Sequence, residues 1–262
     1  MVIEKALMEE LARKSIQAEK DRSPISPITE TIPDLTMEQA YQIQKIREEL
    51  MIAEGHRLIG GKMGLTSVAK MKQMGATESP YGKLFDYMLL YPEDNLVFDE
   101  LIHPRVEGEI AFLMKKDLYG PFVTAADVLD ATYLVLPAYE IIDSRYFGFR
   151  FKTTDSVADN ISAARFKLGK DGVAPGKLHL EELGVATRFS DGSELFATGG
   201  AVLGHPARAV AMYVNLISKF HDGLLKDQII LSGAITAATP VGKGWSVRSQ
   251  FQGIGEISLS VD

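Results

Sequence analysis

Apolar positions recur with two periods along this chain, and the change from one to the other divides it. Over residues 3–18, Ile3, Leu7, Leu11 and Ile16 fall at near-helical spacing, which predicts an amphipathic helix. DRSPISPITETIPDL follows, with Pro24, Pro27 and Pro33, and reads as a connector. Thr36-Met-Glu-Gln39 has capping-box spacing and heads a second helix that Gly55 stops. RLIGGKMG reads as a short strand broken by glycines, and SVAKMKQM as a helix ending at Gly75. After about residue 80 the period shortens. HPRVEGEIAFLM, ATYLVLPAYEII, ARFKLG, QIILSGAI, WSVRSQF and GEISLSV read as strands. Thr124 to Leu129 and Pro206 to Phe220 read as helices between them. Pro206 suits a first helical position, and Val210, Val214 and Ile217 line one face. The expected class is α+β: a helical N-terminal region over 1–80 and a β-rich catalytic core over 81–262. There is no internal repeat and no low-complexity tract.

Composition narrows the function. The 262 residues are 46% hydrophobic and 24% charged, an ordinary globular balance with enough chain for one sizeable core. The net charge is −7 and the pI about 5.4, with no basic stripe, which argues against nucleic acid as a partner. An anionic substrate would need a local cation, because the overall field repels it. There is no cysteine, so disulfides, thiolate zinc sites and cysteine nucleophiles are excluded, and a cytoplasmic setting is expected. The amphipathic start carries Glu4, Glu9 and Glu10 and does not resemble a signal peptide. No apolar run approaches the roughly 20 residues of a membrane span.

The most informative segment is Arg105-Val-Glu-Gly-Glu-Ile-Ala-Phe112. In a strand, Glu107 and Glu109 share one face while Val106, Ile110 and Phe112 share the other. The acidic face runs on into Ala111 and Leu113, so two carboxylates stand at the edge of an apolar surface. Like charges held there repel unless a cation joins them, and a hard divalent ion is the simplest candidate. A solvated acidic edge strand is the plain alternative. Glu140, near the end of the apolar YLVLPAY run, could complete an oxygen-rich site or pair with Arg145. Lys62 lies among glycines in Gly60-Gly-Lys-Met-Gly64, a setting that brings a cation close to a ligand or simply turns the chain; the P-loop spacing is missing. The five histidines form no metal-binding pair. Ser232-Gly233 could bind an anion through its amides or merely turn.

Taken together these stretches resemble the fumarylacetoacetate hydrolase superfamily. Glu-x-Glu followed about 30 residues later by a third Glu matches its metal triad. GGKMGLTS, YGKLFDYM, HPRVEGEIAF, PAYEIIDSRY, DSVADNIS, AVLGHP and FQGIGEISLSV match, in order, the hydratase/decarboxylase branch of meta-cleavage aromatic degradation. The decarboxylase side is favoured by Thr66 to Gly75, by His103-Pro104 and by Gly233-Ala-Ile-Thr-Ala-Ala238; diene hydration is the alternative activity, and acylpyruvate hydrolysis ranks third. A silent member acting as a binding subunit is the reading from another class. The resemblance implies a mixed β-sandwich/roll core. It implies that Glu107, Glu109 and Glu140 hold Mg²⁺ or Mn²⁺. A 2-oxo acid, 2-oxohex-3-enedioate, would chelate the ion and lose its distal carboxylate as CO₂. Lys62 and Asp86 are the expected catalytic pair, with Asp86 orienting Lys62 or moving a proton. Ser162 would bind a substrate carboxylate, with Arg145 and Lys70 (or Lys72) candidates for the distal one. A complex with the partner hydratase, and a homo-oligomer, are the expected assemblies.

Overall fold

Local signals place the N-terminal helices. α1 (Lys5–Asp21) buries Met8, Ala12, Ser15 and Ile16. Leu7 faces outward, because the i, i+4, i+8 stripe runs through Met8 instead. Pro27 precedes a single turn, α2 (Ile28–Thr31). α3 (Met37–Ala53) starts on the expected capping box: Gln39 N donates to Thr36 Oγ1 at 3.2 Å, and Thr36 N donates to Gln39 Oε1 at 3.1 Å. Gly55, with φ of 98°, turns the chain out of this helix. The structure is a computed structural model that describes residues 3–67, 71 and 78–262. Apart from Ser67 and Met71, the expected SVAKMKQM helix lies outside the described residues, as do Lys70 and Lys72.

The β core begins earlier than its expected boundary. β1 (Leu58–Met63) sits inside the large sheet, so the helical region gives way at residue 58 rather than 80. In chain order come β2 (Tyr81–Phe85), β3 (Leu89–Leu90), β4 (Arg105–Met114), α4 (Ala125–Ala131), β5 (Thr132–Ile142), α5 (Thr153–Ala158) and β6 (Ala163–Leu168). Then follow β7 (Gly184–Phe189), β8 (Glu194–Thr198), α6 (Pro206–Ile217), β9 (Ile229–Leu231), β10 (Thr239–Pro240), β11 (Ser246–Phe251) and β12 (Gly255–Ser260). An eight-stranded sheet runs β2-β1-β9-β4-β5-β6-β3, with β10 added beside β4; a four-stranded sheet runs β12-β11-β7-β8. The expected QIILSGAI strand is shorter than its sequence suggests, because β9 leaves the ladder after Leu231. The β7–β8 hairpin is an addition to the expected strands. Its turn signal is Asp191-Gly192, with Gly192 at φ of 88°.

The two faces of β4 separate structure from chemistry. Val106, Ile110 and Phe112 pack toward the small sheet with Val247, Phe251, Ile257 and Leu259, and α6 adds Val210, Val214 and Ile217. Burying Phe112 completely contributes about 1.5–3 kcal/mol. Tyr139 Oη bridges the layers, donating to Ser249 Oγ at 2.8 Å. On the opposite face Ala111, Leu136, Ala138 and Leu231 pack with Phe85, Met88 and Phe166. Glu107 and Glu109 share this second face. Among the described residues no helix is long and apolar enough to cross a membrane.

Candidate metal centre and substrate cavity

Strand register brings the carboxylates together. β4 and β5 run antiparallel with Glu107 directly opposite Glu140 and Glu109 opposite Ala138. Like charges on facing positions destabilise a sheet, so this pairing calls for compensation. Glu109 and Glu140 are fully buried and Glu107 half-buried. One oxygen from each lies within 4.8 Å of the others.

The compensation present is partial. Lys62, buried on β1, puts Nζ 2.8 Å from Glu140 Oε1. β9 stops at Leu231, opposite Ala111, so at the level of Glu109 the ladder yields to a turn. There Gly233 N donates to Glu109 Oε2 at 2.8 Å. The anion held by the Ser232-Gly233 segment is therefore a side chain of the protein itself. Gly233 has φ of 109°, and a Cβ on it would come within 2.3 Å of Thr66 Oγ1, so the turn requires glycine. Glu109 Oε1 and Glu140 Oε2 meet no hydrogen-bond donor among the described residues. Burial raises the Glu109 carboxyl well above the usual range; the charges of Glu140 and Glu107 push it further, against Lys62 and the Gly233 amide. Burial also raises Glu140, with Lys62 opposing. A hard divalent cation fits this donor set: three carboxylates converge, and oxygens buried without partners face one another.

Beside the triad lies a cavity of about 370 Å³, lined by Lys62, Glu107, Arg105, Phe149, Phe151 and Ser162 among others. That volume suits a small metabolite. One wall is strained. Asn160, Ile161 and Ser162 are all left-handed, with φ of 53°, 52° and 56°. Non-glycine residues adopt this region at a cost of order 1–3 kcal/mol each. Asn160 anchors the run: its Oδ1 accepts from Lys83 N at 2.7 Å and its Nδ2 donates to Lys83 O at 2.9 Å. The outcome is Ser162 Oγ, buried at the cavity wall without a hydrogen-bond partner among the described residues.

Two expectations are corrected by position. Asp86 is not at the cavity. Its carboxylate accepts from Arg57 N at 3.1 Å and Nε at 3.0 Å, and these bonds hold its pKa below the usual value. Lys62 is oriented by Glu140 instead. Arg145 does not pair with Glu140 and does not line the cavity. It is completely buried, with Nε donating to Asp159 Oδ1 at 2.6 Å and Nη1 to Asp143 O at 2.7 Å and Ala163 O at 3.0 Å; Nη2 donates to Asp159 O. No nitrogen remains for a substrate. Arg105, which is not among the expected site residues, is a second cation lining the cavity beside Lys62. The signal was available, since a period of two puts residue 105 on the face of Glu107.

No family model matches the chain. It is 40% identical over 249 residues to the 4-oxalocrotonate decarboxylase of Pseudomonas sp. (strain CF600), covering 95% of this chain and 94% of that one. It is 35% identical over 260 residues to the 2-hydroxyhexa-2,4-dienoate hydratase of Comamonas testosteroni, covering 98% of each. Among solved structures, 4-oxalocrotonate decarboxylase from Pseudomonas putida G7, complexed with magnesium and adipate, superposes with a TM-score of 0.96 at 35% identity, over 100% of this chain and 99% of that one.

Proposed function

The chain belongs to the family of 4-oxalocrotonate decarboxylases and 2-hydroxydienoate hydratases, on the fumarylacetoacetate hydrolase fold, and from that membership we propose that it decarboxylates 2-oxohex-3-enedioate to 2-hydroxypenta-2,4-dienoate. The observation that carries this reading is the Glu107–Glu109–Glu140 cluster, in which oxygens of Glu109 and Glu140 are buried without partners among the described residues, beside a cavity of metabolite size. These three residues would hold Mg²⁺ or Mn²⁺, both of which accept all-oxygen donor sets. When bound, the ion supplies Lewis-acid stabilisation to charge developing on the neighbouring keto oxygen.

The chain's own residues do the rest. Ser162 Oγ donates to the substrate's C1 carboxylate, which satisfies the hydroxyl and fixes the keto acid in one orientation. The C5–C6 bond breaks and C6 leaves as CO₂. Its electron pair becomes the C4=C5 double bond, and charge moves through the former C3=C4 bond to the C2 oxygen. The Lys62 ammonium, held at the cavity by Glu140, lies near that oxygen and donates the proton that yields the hydroxydiene. A fixed cation aimed at charge that exists only after bond breaking lowers the barrier more than it tightens binding. Ile142, Phe149 and Phe151 exclude water from the departing carboxylate.

The product is a hydratase's substrate, so association with a hydratase, and of the chain with itself, belong to the same reading; light scattering with and without a co-expressed hydratase checks both. The central experiment offers the Mg²⁺-loaded protein 2-oxohex-3-enedioate and, separately, 2-hydroxypenta-2,4-dienoate. CO₂ release from the first without loss of the diene in the second is expected. Diene loss without CO₂ release would make the chain a hydratase.

A further inference from the structure

A six-carbon dioate brings a second carboxylate, and an acidic protein must meet it with a placed cation. Arg145 is engaged throughout by Asp159 and backbone carbonyls. Arg105 is different. It is half-buried at the first position of β4 and lines the same cavity as Lys62, Glu107 and Ser162. It stands two residues before Glu107 on one strand face, about 7 Å along the strand. That spacing is of the order of the separation between the ends of an extended six-carbon chain.

An aromatic face positions Arg105. Its guanidinium carbon lies 4.1 Å from the centroid of the Phe149 ring. That ring also meets the His103 imidazole, centroids 4.7 Å apart. Phe149 is presented by a left-handed residue pair, Gly148 at φ of 60° and Phe149 itself at 57°. Stacking on an aromatic face leaves the edge of a guanidinium, with its forked donors, available. Lys62 in the same cavity is held by Glu140, whereas the contact that positions Arg105 is an aromatic face.

We infer that Arg105 is the specificity-determining residue for the distal carboxylate, making the cavity selective for 2-oxo dioates over 2-oxo monoacids. This rests on the decarboxylase reading for the identity of the substrate. The same placement limits the clamp. A guanidinium contact helps bind the carboxylate but opposes its loss as CO₂, so Arg105 acts on binding more than on turnover.

The test compares adipate with hexanoate on the Mg²⁺-loaded protein by titration calorimetry, because the two differ in the distal carboxylate alone. Wild type is expected to prefer adipate by about ten- to hundredfold, the range of a charge-assisted hydrogen bond. Arg105→Met should erase that preference while leaving hexanoate and Mg²⁺ affinity in place, and Arg105→Lys should keep part of it. With 2-oxohex-3-enedioate, the KM of Arg105→Met should rise by a similar factor while kcat changes less. Retention of the adipate preference in Arg105→Met overturns the assignment. So does equal weakening of both acids or of Mg²⁺, which would make Arg105 a structural residue. If wild type releases no CO₂, the decarboxylase reading fails, while the adipate–hexanoate comparison still decides the role of Arg105.

Discussion

Two clusters of buried charge, around Arg145 and around Lys62, are built on opposite principles. Around Arg145, one guanidinium meets one carboxylate, and the remaining donors end on backbone oxygens. Asp159 in turn accepts from Ser15 Oγ at 2.9 Å and Arg145 N at 3.1 Å. Burial raises the Asp159 pKa and Arg145 opposes that shift, each partner supplying part of what the other lost with water. Around Lys62, three carboxylates converge, with one of them, Glu140, on the ammonium, and among the described residues oxygens of Glu109 and Glu140 are left without donors. A closed set of charges can be removed from solvent and left alone. An open set keeps a standing demand for positive charge, and that demand distinguishes a binding site from a buried strut.

The sharpest way to break the comparison is to open the closed set. Arg145→Met should cost about 3–5 kcal/mol of stability by leaving Asp159 buried without its partner. Urea denaturation would read this, and the folded fraction should still bind Mg²⁺, since Arg145 does not line the cavity. A metal affinity that fell with stability would tie Arg145 to the site. Next in size, Lys62→Met should lower kcat by roughly a hundred- to a thousandfold, the usual scale for losing one fixed stabiliser of developing charge. Stopped-flow measurement of CO₂ release on metal-loaded protein checks this, and an unchanged kcat would reduce Lys62 to a partner of Glu140.

The smallest effect has an unusual sign. Glu109 has a raised pKa in the metal-free fold, so its contribution to stability is present below the unfolded value near 4.5 and is lost as pH rises through the folded value. Chelated protein should therefore weaken as pH climbs from about 4.5 towards the folded value, by at most roughly 1.4 kcal/mol per pH unit for this one group. Glu109→Gln should flatten the slope and leave the chelated protein as stable as wild type or more so. Urea midpoints across a pH series would show it, and a steeper fall in the variant would contradict it.

Legibility followed sequence distance. The Thr36–Gln39 capping box and the alternation over 105–114 are local, and both formed as expected. The shared face of Glu107 and Glu109 was readable for the same reason, and so was Arg105, had the period been carried two residues back. The partners were not readable. Whether Arg145 meets Glu140 or Asp159, and whether Lys62 meets Asp86 or Glu140, depends on strand order. β9 enters between β1 and β4 from late in the chain, and its end at Leu231 is what lets the Gly233 amide reach Glu109. The left-handed run at residues 160–162 is marked in the sequence by Asn160 alone, since Ile161 and Ser162 seldom adopt that conformation.

Calorimetric titration of chelator-stripped protein with Mg²⁺, in two buffers of different ionisation enthalpy, tests the open carboxylate set most directly. The account predicts one ion bound per chain with net release of protons, because burial and the neighbouring carboxylates favour the protonated form of Glu109 and a metal favours the ionised one, and loss of that binding in Glu109→Gln. Wild-type protein that binds no divalent ion, or a Glu109→Gln variant that binds it as tightly, would contradict it.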